Sequence, residues 1–248
     1  MSGHSHWSTI KRSKAATDAK RGREWSKLAR RVIMAAKSGG NPDDNLTLRY
    51  AVDAAKAANM PNDTIAKAIK KGTGELGAEN YEQMVYEGYG PGGVAFLVDC
   101  LCDNRNRIAP ELRTIFERAG GQLGSTGCVA YLFTQKGQFI IAADQADEDT
   151  LMEIALEAGA DDVVTEGAIF VITCEISSFQ AMKAALADKN IETIEGEIAM
   201  IPANTVAVDI DKARQVLNLM ETLEDNDDVQ KVYANFELPD DVVAELGD

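Results

Sequence analysis

From residue 23 to residue 71 apolar side chains recur at helical spacing. Trp25, Leu28, Val32 and Ala36 fall on one stripe, while Arg23, Lys27, Arg30 and Lys37 centre on the opposite face. Ser38-Gly39-Gly40 stops this helix. A second helix is predicted over 44–58, opened by Asp43 or Asp44 after Pro42. A third is predicted over 62–71, with Asn62 as N-cap and Lys70, Lys71 and Gly72 at its end. Together they make a small bundle with an Ala-rich interior. The residues ahead of Gly22 show little apolar periodicity and are expected to be mobile, or helical only when bound.

From Val94 the period changes. "VAFLVDCL" (94–101) reads as a strand. "RIAPELRTIFERAGG" (107–121) is a helix with Ile108, Leu112, Ile115, Phe116 and Ala119 on one stripe, and "GCVAYLF" (127–133) a second strand. Next come a strand at 137–143, a helix at 147–159, a hairpin at 161–174 turning at Glu166-Gly167, a Ser-capped helix at 177–188 and a strand at 191–202. That βαββαβ order is the ferredoxin-like plan. A further strand, helix and strand follow at 205–210, 211–225 and 228–238. A lone βαβ buries a sheet poorly, so the units flanking the middle segment are expected to combine. The predicted fold class is therefore multidomain α and α+β. A helical domain (1–75) precedes two ferredoxin-like α+β domains, one discontinuous (80–134 plus 204–240) and one inserted in it (135–203). The alternative is three consecutive small α/β units.

The chain has 248 residues, 45% of them hydrophobic, enough for two or three domains with real cores. No apolar run approaches the roughly 18 residues that span a bilayer, and no apolar core follows the basic N-terminus as in a secretory signal. Cys100, Cys102, Cys128 and Cys174 read as reduced thiols packed as small hydrophobes. A cytoplasmic location is expected.

Charge alters this picture. The chain carries a formal net charge of −15, yet residues 1–72 hold fifteen basic and six acidic side chains, a net of +9. Residues 73–248 hold ten basic and thirty-four acidic ones, a net of −24. Such a split points to two surfaces with different partners. Lys11, Arg12, Lys14, Lys20 and Arg21 lead into Arg23, Lys27, Arg30 and Arg31, interrupted only by Asp18 and Glu24. Clustered cations of this kind call for a compensating anion, and phosphate is the usual one. Trp7 adds a ring able to stack on a base. A membrane surface is disfavoured, because the helix's apolar face is committed to the bundle and the acidic body would be repelled. These nine residues, with Trp7, form the candidate nucleic-acid site.

Other stretches carry less chemistry. "YEGYGPGG" (86–93) runs into a strand rather than a helix, so it is neither a P-loop nor a dinucleotide fingerprint. It reads as a tight turn or a recognition loop, with Tyr86 and Tyr89 as stacking groups. In "DNRNR" (103–107), Asp103 or Asn104 suits a helix cap. Arg105 and Arg107 are rare cations in an acidic body, which makes Tyr89, Asn104, Arg105 and Arg107 a secondary contact. "EDNDD" (224–228) lacks EF-hand spacing and reads as a solvated helix end. Both histidines, His4 and His6, lie in the N-terminal tail, away from any Ser or Cys nucleophile. No catalytic residue, metal site, cofactor or small-molecule substrate is indicated. An enzyme built on the Gly-rich loop and the body's carboxylates would have to bind a nucleotide or metal through 73–248.

Four segments in order, "GHSHW…IKRSKAA…DAKRGREWSKLARR", "NMPNDTIAKAIKKG", "YEGYGPGGVAFLVDCLCDNRNR" and "GCVAYLF", resemble the YebC/PmpR family over essentially the whole chain. The family includes a mitochondrial translational activator. His6 stands where the family more often has Lys, Ser13 where it has a basic residue, and Cys128 where it has Ser. The resemblance implies a helical domain followed by two α+β domains. It also implies a non-enzymatic, cytoplasmic regulator that binds DNA, or a ribosome-associated factor that binds ribosomal RNA. On either reading the acidic body repels nucleic acid or docks on a basic protein.

Overall fold

The computed structural model describes residues 18–77, 81–239 and 242–243, with side chains from Gly22 onward. Its first helix, α1 (Asp18–Ala36), packs against α2 (Leu46–Ala57) and α3 (Asn62–Gly72). Leu28, Val32, Ile33, Leu48, Val52, Ile65 and Ala68 form the bundle core. Helix α1 starts five residues ahead of Arg23, because a helix continues into polar sequence once its later turns are packed. Asn45, not Asp43 or Asp44, caps α2, its side chain accepting from the Leu48 N–H at 3.1 Å. Helix α3 is entered from Pro61, with no side-chain cap. Gly72 is where α3 meets α1: a β-carbon there would lie 2.4 Å from the Ile33 carbonyl oxygen and 2.6 Å from the Ala36 β-carbon.

The body opens with an antiparallel hairpin of β1 (Glu82–Tyr89) and β2 (Ala95–Cys102). Helix α4 (Arg105–Arg118) follows, then the two-residue strand β3 (Gln122–Leu123). The chain next builds a second sheet from β4 (Phe133–Ala142), α5 (Glu148–Ala158), β5 (Ala160–Glu166), β6 (Ile169–Cys174), α6 (Phe179–Asp188) and β7 (Thr193–Pro202). Its strand order, β5-β6-β4-β7, is that of a ferredoxin-like unit. The chain then returns through β8 (Val206–Ala207), α7 (Ile210–Glu224), β9 (Val229–Ala234) and β10 (Phe236–Glu237). Strand β9 completes the first sheet, β3-β1-β2-β9, so one α+β unit interrupts the other.

One loop and two strands expected from the sequence are corrected. Residues 86–89 of the Gly-rich stretch belong to β1, and only Gly90–Gly93 form the turn, closed by the Gly90 N–H to the Val94 carbonyl at 2.8 Å. Residues 127–132 are a loop and a 3-10 turn; the strand begins at Phe133 and runs through Gly137 without a break. The stretch 205–210 yields only β8, which pairs with β10 apart from both larger sheets.

Helices α4 and α7 cover one face of the first sheet, packing Phe116 and Met220 against Phe96, Val98, Cys100 and Cys102 in one core. Its other face meets the inserted unit through Ala95, Leu97 and Tyr233 against Val129, Phe133 and Ala199. Lys231 of β9 crosses the same seam, with its Nζ 2.7 Å from a carboxylate oxygen of both Glu195 and Glu197 on β7. Burial alone would lower the pKa of this ammonium; the two carboxylates more than reverse that and raise it.

Candidate nucleic-acid interface

Helix α1 shows its apolar stripe to the bundle, anchored by the Trp25 Nε1–H donating to the Ala58 carbonyl at 2.9 Å. Its cationic face meets the body. Arg23 pairs with Asp225 at 3.1 Å, Lys27 donates to the carbonyl of Glu224, and Arg30 donates to the carbonyl of Asp227. Arg30 also pairs with Asp228 at 3.0 Å and lies over the Tyr81 ring, 5.6 Å from its centroid. Arg31 is half-buried; burial raises the pKa of both Asp99 and Tyr233, and the Arg31 charge is close enough to each to oppose that rise in part. Residues 224–228 are therefore not a free helix end. They turn out of the C-terminus of α7, where helix carbonyls lack intrahelical partners and the dipole is negative, and there they receive three cations of α1.

Asp228 is the centre of this contact. Its side chain is 2% exposed and lies between Arg30 on one side and Arg107 of α4 at 2.8 Å on the other. Its backbone carbonyl accepts from the Leu101 N–H at 2.8 Å. Burial raises the Asp228 pKa, and the two guanidiniums oppose that rise. Arg107 also holds Asp103 at 3.0 Å. One residue of the primary set and one of the secondary set thus meet on a single carboxylate.

The other candidate residues are dispersed. Trp7, Lys11, Arg12 and Lys14 lie outside the described residues, as do the side chains of Lys20 and Arg21. Tyr89 is half-buried and its hydroxyl donates to the Cys128 carbonyl at 3.1 Å, so its hydroxyl edge is held by the loop. Asn104 caps α4, accepting from the Asn106 N–H at 3.0 Å. Arg105 is exposed beside Tyr86 at the mouth of an open groove of about 340 Å³ lined also by Gln83, Val85, Gly124 and Thr126.

Glu87 escaped the sequence reading. It is 4% exposed, and its carboxylate accepts from the Gly127 N–H at 2.6 Å and from the Val129 and Ala130 N–H groups at 2.7 Å each. Burial by itself would raise its pKa, but these three donors bring it below the usual glutamate value. They also fix the loop that leads from the first sheet into the second. Among the described residues no group of acids, cysteines or histidines is arranged to hold a metal, and no helix is long and apolar enough to cross a membrane.

Two family descriptions match this chain: the TACO1/YebC protein N-terminal domain over residues 5–75, and the TACO1/YebC second and third domain over residues 81–236. The chain belongs to the TACO1/YebC family. A relative from Desulfatibacillum aliphaticivorans is 51% identical over 246 residues, covering 99% of this chain and 100% of its own. One from Syntrophus aciditrophicus is 50% identical over 248 residues, covering 99% of each. Both are named "Probable transcriptional regulatory protein". The crystal structure of a conserved hypothetical protein from Aquifex aeolicus, 43% identical, superimposes with a TM-score of 0.82 over 92% of this chain and 94% of its own. That likeness extends through the helical bundle and the α+β units.

Proposed function

We propose that this protein regulates gene expression by binding nucleic acid through phosphate contacts of its basic N-terminal segment, residues 11–31. The observation that carries this reading is the segregation of charge: a net of +9 in residues 1–72 against −24 in the remainder, with α1 burying its apolar stripe and keeping its cations on other faces. Phosphate contacts position a protein without reading sequence. The family's regulator name supports a duplex DNA target. The docked cationic face of α1 favours a second reading, structured RNA such as that of the ribosome, because Arg23, Lys27 and Arg30 are held by residues 224–228 and do not stand free to enter a groove. On either reading the acidic body repels nucleic acid, or docks on a basic protein, and so orients the molecule.

Binding of a labelled duplex and of a ribosomal RNA fragment, measured against salt, tests this directly. If about 6 phosphates are neutralised on duplex DNA, log K falls against log salt with a slope near −5. The variant Lys11→Glu/Arg12→Glu/Lys14→Glu, which leaves the α1 contacts untouched, is expected to lose about half of that slope. Unchanged affinity and slope in that variant would overturn the assignment. Crosslinking in cells, with sequencing of recovered DNA and RNA, decides between promoter regions and ribosomal RNA.

A further inference from the structure

Three cations of α1 are engaged by oxygen atoms from one five-residue turn. Arg23 and Arg30 meet the carboxylates of Asp225 and Asp228, while Lys27 and Arg30 also take the carbonyls of Glu224 and Asp227. Carboxylate and carbonyl oxygens strung along a turn offer a cationic helix what consecutive phosphates would offer it. The turn divides into two layers. Asp228 is buried and tied into the sheet, as a structural anchor must be. Asp225 and Asp227 are exposed, and the Arg23–Asp225 pair is solvated on both sides, at 38% and 51% side-chain exposure. Such a rim pair is worth little energy and is easily exchanged.

We infer that the turn 224–228 is an internal phosphate mimic that competes with nucleic acid for the cationic face of α1. In the free protein it holds Arg23, Lys27 and Arg30. A polyphosphate chain engaged by the leading residues displaces it and takes over the same cations, drawing the helical bundle away from α7. This inference rests on the nucleic-acid reading above and adds its regulation: the protein pays for non-specific binding by first giving up an internal contact. Apparent affinity is therefore reduced by the fraction of molecules already undocked.

The test uses the full-length chain with a labelled 25-base-pair mixed-sequence duplex and a 25-nucleotide RNA. The variant Glu224→Gln/Asp225→Asn/Asp227→Asn removes the Arg23–Asp225 ion pair and the negative charge around the carbonyls that hold Lys27 and Arg30, and keeps Asp228. It is expected to bind about tenfold more tightly if about one molecule in ten is undocked at rest. Freed cations steepen the salt slope on the duplex by up to about 0.9 for each new phosphate contact. The control Glu148→Gln/Asp149→Asn/Glu153→Gln removes the same charge from exposed positions of α5, and is expected to change affinity by no more than about twofold, the effect of net charge alone. A second readout needs no variant: hydrogen exchange in 224–228 of the native chain accelerates when the duplex or RNA is added, where ordinary ligand binding would slow it. Native protein that binds neither probe at low salt overturns the nucleic-acid reading and this inference with it. Native protein that binds, with the rim variant no tighter than the control and exchange in 224–228 unchanged or slowed, overturns the competition alone.

Discussion

Replacing Glu87 by Gln tests what holds the crossing between the two sheets. The carboxylate's Oε1 takes the Gly127 N–H and its Oε2 takes the Val129 and Ala130 N–H groups. A Gln oxygen can keep the latter pair, but its amide nitrogen then faces the Gly127 donor. One charge-assisted bond is lost, at about 1.5–3 kcal/mol, and the two that survive weaken to neutral strength. The expected total is about 3 kcal/mol, or on the order of 100-fold in local opening. Amide hydrogen exchange at Gly127, Val129 and Ala130 reads this directly. The pH dependence supplies a signed check. The folded pKa of Glu87 is lowered, so the carboxylate's contribution is present above its unfolded pKa and fades as pH falls through the folded one. The gap between native and variant protein therefore closes on acidification below that range. Exchange accelerated by less than about threefold at neutral pH, or a gap constant into strong acid, would refute the claim that this carboxylate organises the loop.

Three further outcomes follow from packing and charge. Gly72→Ala forces a methyl against the Ile33 carbonyl and Ala36, and is expected to cost the bundle about 1–3 kcal/mol by denaturant unfolding followed through Trp25 fluorescence. Lys231→Met removes the cation that Glu195 and Glu197, side by side on β7, share across the seam and is expected to destabilise by about 2–4 kcal/mol, less than for a fully buried pair because both carboxylates keep some water. In the native protein the raised pKa of Lys231 keeps its contribution intact below the unfolded value and removes it only as pH rises through the folded one. Burial raises the thiol pKa of all four cysteines, so a thiol reagent at neutral pH is expected to reach half-buried Cys128 first and the buried Cys100, Cys102 and Cys174 only on unfolding.

The helices and the nested plan were legible because each buries a stripe of the right period, as Leu112 and Phe116 show in α4. Strand β1 was not, because its glycines read as a loop. Gly88 and Gly90 are instead packing positions: a β-carbon at Gly88 would lie 2.7 Å from the Gln122 carbonyl oxygen, and one at Gly90 2.4 Å from the Phe96 ring. The apolar run 127–133 looked like a strand because of its apolar residues; Val129 and Phe133 both fill the seam between sheets, but only Phe133 stands in a ladder, as the first residue of β4. Glu87 carried a faint signal, an acid at an otherwise half-buried strand position; its three donors lie forty and more residues away and leave no local trace. The run 224–228 announced its charge, but a sequence does not say which surface faces it.

The contact with α1 changes what the chain's net charge means. A body at −24 would be expected to work on nucleic acid by repulsion at long range, yet its nearest anions are already spent on α1. At about 150 mM salt, repulsion between exposed charges decays over about 8 Å, whereas a tethered competitor acts at an effective concentration in the millimolar range. An isolated phosphate or mononucleotide meets that competitor one contact at a time and loses. A polymer that has engaged the leading cations presents its next phosphates at comparable effective concentration, and each docked cation exchanges one anion for another at little cost. Displacement should therefore depend on length: a mononucleotide leaves exchange in 224–228 unchanged at any accessible concentration, and acceleration sets in only once an oligonucleotide is long enough to reach from the leading residues to Arg30.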